Sequence, residues 1–408
     1  MNNWRIDYNS DMTRRSHSQP IEPRRITLRL DAMTYGGDAI GRADGQAIFV
    51  TGGLAGETVR VVITEEHRRF ARARVIEVIE PSPDRVEPRC PHFGFEPTAC
   101  GGCHWQHIDY AAQLRFKTQI VREQLQRLGR IADPPVRDAL ASPDVWAYRN
   151  HAQFSCTADG RLGFQAARSH RVVPIEVCYI VQPPILDWLQ VNQRIGESAH
   201  RRISVRVPNG QRPISNLQSP TSIFHIKDAT FRVSIDSFFQ VNASLIETLI
   251  DQVMSKLDLH GHETVLDAYC GVGLFSRFIA PHADRVIGIE SSASAIADAR
   301  INLAAFNRVK LHEGRVDQVL PTFETPISAA VVDPPRAGCG PLVMQTLIEQ
   351  KIDRVVIVSC DPSTLARDVR FLIDRGYRLI EAQPLDMFPH TYHVEVVTLL
   401  LRADHAIL

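Results

Sequence analysis

The sequence predicts an α/β protein in three parts. A Rossmann-like, doubly wound sheet fills the C-terminal part, preceded by a small OB-like β-barrel and an α+β middle domain. Three observations carry this. Strand-like and helical stretches alternate from residue 236 onward, as a parallel sheet with crossover helices requires. Residues 24–80 hold short runs of alternating apolar and polar residues with glycine-rich turns between them. The 408 residues exceed one ordinary domain. The expected boundaries are a disordered tail at 1–21, the barrel at 22–82, the middle domain at 83–235 and the α/β domain at 236–408.

The first stretch, "MNNWRIDYNSDMTRRSHSQP", is polar and has no apolar core of a secretory signal. No apolar run reaches the roughly 18 residues of a membrane helix. A cytosolic, membrane-free protein is expected, in which eight cysteines serve metal binding or catalysis rather than disulfides. The barrel is read from "RRITLRLDAM", "AIFVTGGL" and "TVRVVITEEHRRFARARVIEVIE", with "YGGDAIGRADG" as turn material. Such barrels commonly bind oligonucleotides, although a β-domain without a ligand fits the pattern equally. Net charge is zero, but residues 1–215 hold 29 Lys and Arg against 23 Asp and Glu, and the remainder 17 against 23. A basic front half hints at nucleic acid.

"CGGCHWQH" (100–107) opens the middle domain's puzzle. Its spacing permits a redox dithiol, half a zinc site, a c-type haem attachment or part of an iron–sulfur ligand set. "IDYAAQLRFKTQIVREQLQRLG" follows as a helix with a basic face, able to meet phosphates or simply solvated. "YRNHAQFSC", "RLGFQAA", "RVVPI", "ISVRVPNG" and "FRVSIDSFFQVN" are strand-like, and "NGQRPISNLQSPTS" is a loop.

In the last part "SLIETLIDQVMSKL" is helical, and "RVIGIESS", "AAVVDPP", "RVVIVSC" and "HVEVVTLLLR" are strands. "ETVLDAYCGVGLFS" reads as a strand ending at Asp267, then the turn Gly271–Val272–Gly273. Glu290 ends the next strand, 19 residues past Gly271, where an acid can accept from a ribose diol. The full G-x-G-x-x-G of dinucleotide sites is missing, since position 276 is Ser276. S-adenosylmethionine (SAM) has no pyrophosphate to cradle, so the shorter turn favours SAM over NAD.

The reactive groups come from two further strand ends. Asp333-Pro334-Pro335 is followed by Arg336, not by the aromatic residue that stacks on a base in amino-group methyltransferases. Cys360 follows "RVVIVS" at a carboxyl end of the sheet, where such folds bind ligands. Asp361 and Pro362 suit a helix start. A thiol at that helix N-terminus, with Arg367 near in sequence, is expected to have a lowered pKa. A nucleophilic cysteine beside a methyl donor implies pyrimidine C5 chemistry: thiolate addition at C6 makes C5 able to attack the methyl, and a base then removes the C5 proton. "FPHTYHVEVVTLL" supplies His390, His393 and Glu395; Glu395 is the base candidate, and structural hydrogen bonding is expected of the histidines.

"FFQVN" (238–242), "LDAYCGVG" (266–273), "DPPRAG" (333–338), "SCDPSTLARD" (359–368) and "HTYHVE" (390–395) together resemble the RNA uracil-C5 methyltransferase family, in order and spacing, from about residue 22 onward. The resemblance implies a class I SAM methyltransferase domain, with Cys360 as nucleophile, Glu395 as base, and Gln240, Tyr269, Gly271, Glu290 and Asp333 at the SAM site. The barrel resembles the TRAM module. The family's ribosomal-RNA branch carries a [4Fe–4S] cluster, which would fall here on Cys90, Cys100, Cys103 and Cys178; four cysteines alone would equally suit zinc. The implied activity is methylation of C5 of a uridine in RNA, 23S ribosomal RNA first, by a monomer. The rivals are a transfer-RNA enzyme of the same family, a cytosine-C5 methyltransferase, and a non-catalytic RNA-binding protein with a SAM fold. There are departures: nine residues separate Cys90 from Cys100, Leu274 replaces a frequent Asn, and "SCDP" replaces "SCNP". Cys156, Cys270 and Cys339 have no assigned role.

Overall fold

The computed structural model describes residues 24–193, 202–217 and 221–404. The tail expected at 1–21 lies outside the described residues. Strands β1 (Arg25–Met33), β2 (Ala39–Ala43), β3 (Gln46–Thr51), β4 (Thr58–Glu66) and β5 (Phe70–Glu80) close a barrel in the order β1-β2-β3-β5-β4. Alternation turns Leu28, Leu30, Ile48, Val50, Val59, Val61, Ala71 and Ala73 into its core.

Helix α1 (Tyr110–Arg127) leaves the barrel. It begins at Asp109, whose side chain accepts from the Ala111 amide. It bridges two cores: Ala112 and Ile120 pack beneath the barrel, while Val121 and Leu125 join the core of the C-terminal sheet. The basic face expected on this helix is not all solvated. Lys117 is fully buried and donates to Asp386, also fully buried, and to the Phe388 carbonyl (3.0 Å).

The middle of the chain forms β6 (His151–Cys156), β7 (Leu162–Gln165), β8 (Val172–Pro174), α2 (Pro183–Val191), β9 (Ile203–Arg206) and β10 (Ile214–Ser215). The sheet order is β10-β9-β6-β7-β8. A hairpin of β11 (Thr221–Ile226) and β12 (Ala229–Ser234) follows.

The C-terminal part runs α3 (Ile246–Leu257), β13 (Thr264–Ala268), α4 (Leu274–Ile279), β14 (Arg285–Glu290), α5 (Ala293–Asn302), β15 (Val309–Glu313), α6 (Val316–Val319), β16 (Ala329–Val332), α7 (Pro341–Glu349), β17 (Arg354–Ser359), α8 (Pro362–Ile373), β18 (Tyr377–Leu385) and β19 (Glu395–Arg402). The sheet order is β15-β14-β13-β16-β17-β19-β18, with β19 antiparallel to both neighbours. The order reverses between β13 and β16, the switch point where such sheets open a ligand crevice. All of β16 and five of six residues of β17 are buried, so these strands read as continuous apolar runs. Among the described residues no helix is long and apolar enough to cross a membrane.

Candidate active site

Three strand ends meet at the crevice. The β17–β19 ladder ends with Ser359 opposite Val396, so Cys360 and Glu395 are next in register across the two strands. β16 lies on the other side of β17, and Asp333 follows its last residue. Helix α8 starts immediately after the candidate nucleophile: Asp361 accepts from the amides of Ser363 (2.9 Å) and Thr364 (3.1 Å), and Pro362 needs no donor there.

The electrostatics differ from the expectation. Cys360 is not a low-pKa thiol. Burial, with Glu395 next and the Arg336 guanidinium opposing, pushes it up to about 11. Desolvation therefore outweighs the helix N-terminus, and the cation that helps the thiolate is Arg336, not Arg367. Glu395 is 5% exposed, and burial and Asp333 hold its carboxyl well above the usual range. Asp333 is pushed up to about 7 by burial, then by Asp267 and Glu290. Two carboxyls and one thiol thus share poorly solvated surroundings with Arg336 beside them. Such a set favours neutral forms until a cation enters, and it makes Glu395 a stronger base than a solvated carboxylate.

The glycine turn is built beside it. Asp267 is fully buried and accepts from the Ser276 amide (2.9 Å) and hydroxyl (2.5 Å), fastening β13 to α4. Tyr269 and Gly273 have φ of +64° and +86°. A Cβ on Gly273 would sit 2.7 Å from Leu303 Cδ1, so only glycine fits. Glu290 accepts from the Gly271 amide (3.0 Å) and the Ser292 amide (2.7 Å), which places the acid against the turn. Gln240 is buried and follows the β11–β12 hairpin; its carbonyl accepts from Asn150 Nδ2 (3.1 Å).

The loop before Glu395 is held from outside. His390, with φ of +64°, stacks on Trp146 at 3.7 Å. Its amide donates to Gln113 Oε1 (2.8 Å), and its carbonyl accepts from the amides of His104 and Trp105, both at 2.9 Å. Burial lowers His390 to about 4 and His393 to about 3, so both are neutral.

Cys90, Cys100, Cys103 and Cys178 line one cavity of about 630 Å³ between the cysteine loop and β6–β8. Burial and one another's charge push Cys100, Cys103 and Cys178 up. The Gly102 amide donates to Cys100 Sγ (3.4 Å), while Gln106 near Cys103 and the amides of Ile180 and Val181 near Cys178 oppose the upward push. Half-buried sulfurs near N–H donors are suited to anionic, metal-bound thiolate. Among the described residues no three His, Cys, Asp or Glu side chains already stand close enough to hold a metal ion. The donor chemistry fits a metal group, and the coordination sphere is not drawn closed.

A model described as tRNA (uracil-5-)-methyltransferase matches residues 221–317 and 306–403, and one described as TRAM domain matches 24–76. A Streptomyces avermitilis protein described as an uncharacterised RNA methyltransferase is 36% identical, over 91% of this chain and 97% of its own. One from Halalkalibacterium halodurans is 33% identical, over 92% and 96%. This chain belongs to the tRNA (uracil-5-)-methyltransferase family of RNA methyltransferases. The Pyrococcus abyssi tRNA (uracil-54, C5)-methyltransferase, solved with S-adenosyl-L-homocysteine, superposes with a TM-score of 0.69 at 25% identity, covering 93% of this chain and all of that one. The C-terminal part of this RNA methyltransferase is therefore a class I SAM methyltransferase domain, and its barrel is a TRAM domain. Arg336 is a further site residue, its guanidinium acting on both Cys360 and Glu395; its only signal in the sequence is a cation directly after "DPP".

Proposed function

We propose that this methyltransferase transfers the methyl group of SAM to C5 of a uridine in 23S ribosomal RNA. The observation that carries the chemistry is Cys360 in register with Glu395 beside Asp333 at the switch point. When bound, SAM supplies an electrophilic methyl on a cationic sulfur, in the crevice bounded by Gln240, Tyr269, Gly271, Glu290 and Asp333. The Cys360 thiol loses its proton to solvent, leaving Glu395 unprotonated, and the thiolate sulfur bonds to C6 of an extruded uridine. The electron pair displaced onto C5 forms the new C–CH₃ bond while the methyl's bond to sulfur breaks, its electrons staying on the sulfur of the departing S-adenosyl-L-homocysteine. Glu395 takes the C5 proton, the C5–C6 double bond re-forms and the S–C6 bond breaks, returning the thiolate. Arg336 offsets the negative charge that this sequence gathers.

The four-cysteine cavity supports the ribosomal branch, whose members this set resembles. Cys90, Cys100, Cys103 and Cys178 would hold a [4Fe–4S] cluster that fixes the loop at 100–105 and, through His104 and Trp105, the loop before Glu395. A transfer-RNA substrate is the second reading, favoured by the substrate named for the Pyrococcus abyssi neighbour. The test incubates enzyme and SAM with unmodified 23S ribosomal RNA or transfer RNA and maps 5-methyluridine by mass spectrometry. Cys360→Ala should abolish product, and Glu395→Gln should accumulate a covalent RNA adduct. Full activity of Cys360→Ala would end the addition–elimination scheme. Anaerobically purified protein should carry about four iron and four sulfide per chain; zinc in their place would end the cluster assignment.

A further inference from the structure

Two buried, opposite charges hold the segment that delivers Gln240. Strand β12 ends at Ser234, and the Ser237 amide donates to the Ser234 carbonyl (3.0 Å), closing a turn just before Gln240. Asp298, on α5, meets the donors of that turn. Its carboxylate accepts from the Ser234 amide (2.7 Å), the Ser234 hydroxyl (2.9 Å) and the Ser237 hydroxyl (2.8 Å), and Arg232 Nε lies 3.6 Å away. Arg206, the last residue of β9, meets the acceptors. Its guanidinium donates to the carbonyls of Ser234 (3.0 Å) and Ser237 (2.8 Å). Asp298 and Arg206 are each 1% exposed. Asn302 lies one helical turn beyond Asp298. It accepts from the Arg232 amide (2.8 Å) and donates to the carbonyls of Arg232 (3.0 Å) and of Val272 (2.9 Å), the middle residue of the glycine turn. The β11–β12 hairpin and Phe239 share an apolar cluster with Val272, Leu274 and Ala295.

We propose that Asp298 is a positioning residue for SAM binding, acting on Gln240 through the turn at Ser234–Ser237. The inference rests on the reading of Gln240 as a SAM contact given above. Gln240 lies between the hairpin and α3, outside the sheet that carries Glu290, so no β-ladder sets its distance from the ribose acid. Helix α5 supplies that distance. It begins three residues after Glu290, holds the turn before Gln240 at Asp298, and holds the glycine turn at Asn302. Apolar packing fixes how deeply the hairpin sits, whereas directional bonds fix where it sits along the helix. Three donors converge on the Asp298 carboxylate, and bonds to an ionised acceptor are the stronger kind. A buried carboxylate is costly unless it is paired and hydrogen-bonded, and here the serine donors satisfy it while Arg206 and Arg232 balance its charge.

The experiment uses the full-length enzyme without RNA and reads SAM affinity and the number of binding sites by calorimetry. Asp298→Ala removes every acceptor. Asp298→Asn keeps an oxygen for the Ser234 amide. Ser237→Ala removes one bond to Asp298 and carries the test where Asp298→Ala fails to fold. Asp298→Ala is expected to weaken SAM binding about ten-fold and Ser237→Ala about three-fold, with the number of sites unchanged and Asp298→Asn within about three-fold of wild type. Gln240→Ala should weaken binding at least as much as Asp298→Ala, and adding either other alanine to it should cost nothing further. In turnover the loss should fall on KM for SAM, with kcat within about three-fold. A merely structural role would reduce the number of competent sites and leave the affinity of the remainder alone. That result, a loss confined to kcat, wild-type affinity in Gln240→Ala, or undiminished effects in its background would each overturn the inference. A wild-type enzyme that makes no 5-methyluridine while the binding pattern holds would sink the functional reading alone.

Discussion

Replacing Lys117 by methionine should unfasten the catalytic loop at its root. The ammonium lies on α1, 269 residues from its carboxylate partner Asp386, and neither side chain is exposed. Without it the Asp386 carboxylate keeps the Phe388 amide (3.2 Å), and the Phe388 carbonyl loses its 3.0 Å donor. Breaking a buried pair from one side costs about 3–5 kcal/mol, because the remaining charge is stranded. That is a large share of the 5–15 kcal/mol that typically separates folded from unfolded protein. Neutralising the partner as well, in Lys117→Met with Asp386→Asn, should recover more than half of the loss. Urea unfolding followed by tryptophan fluorescence is the assay, since the Lys117 ammonium lies 6.0 Å from the Trp105 ring. A single variant within about 1 kcal/mol of wild type, or a double variant no better than the single, would refute the claim that a stranded charge is the cost.

Other outcomes follow from the site. Asp333 holds its proton more tightly folded, up to about 7, than at the ordinary 3.8, so its contribution to stability falls as pH rises across that window. The full span would be worth about 4 kcal/mol; for a half-buried group about 1–2 kcal/mol is expected. Asp333→Asn should therefore lose about that much less than wild type between pH 5 and pH 8, measured by urea unfolding without SAM; parallel curves would contradict this. Gly273→Ala strains a φ of +86° and drives a methyl toward Leu303, so SAM affinity in calorimetry should fall at least about ten-fold. Replacing Cys100 and Cys103 together by serine should lower kcat as well as iron content, because the loop they share braces His390.

Much of the fold was legible because local pattern and tertiary role agree. "AAVV" and "RVVIVS" are apolar throughout since both faces of those strands are covered, and the barrel alternates since one face meets solvent. The juxtaposition of Cys360 and Glu395 follows from their places at the ends of neighbouring strands, both marked by the sequence pattern. What failed to show was anything set by distant contacts. Lys117 reads as one more surface cation on a helix, because Asp386 arrives from the far end of the chain. The raised Cys360 pKa reverses the sequence-based direction, because burial and Glu395 are invisible in "SCDPSTLARD" while a helix start is plain there.

These misses share a cause, and it concerns the loop from Asp386 to His393. A buried carboxyl such as Glu395 sits in an unfavourable environment, and it stays there only if its surroundings over-determine its position. The loop before it has no ladder of its own to supply that. Its backbone is met instead from elsewhere: the Met387 carbonyl by Asn242 (3.3 Å), Phe388 by Lys117, Pro389 by Tyr148 (3.1 Å), and His390 by Gln113, His104 and Trp105. Those partners come from α1, the cysteine loop and the segments flanking the middle sheet. The support of the candidate site is thus distributed over the chain, although Cys360 and Glu395, the two groups proposed to act on the uridine, both lie at strand ends of the C-terminal sheet. A C-terminal fragment with an intact glycine turn would keep the SAM crevice and lose the placement of its base. The front of the molecule therefore does more than hold RNA: it sets where Glu395 stands.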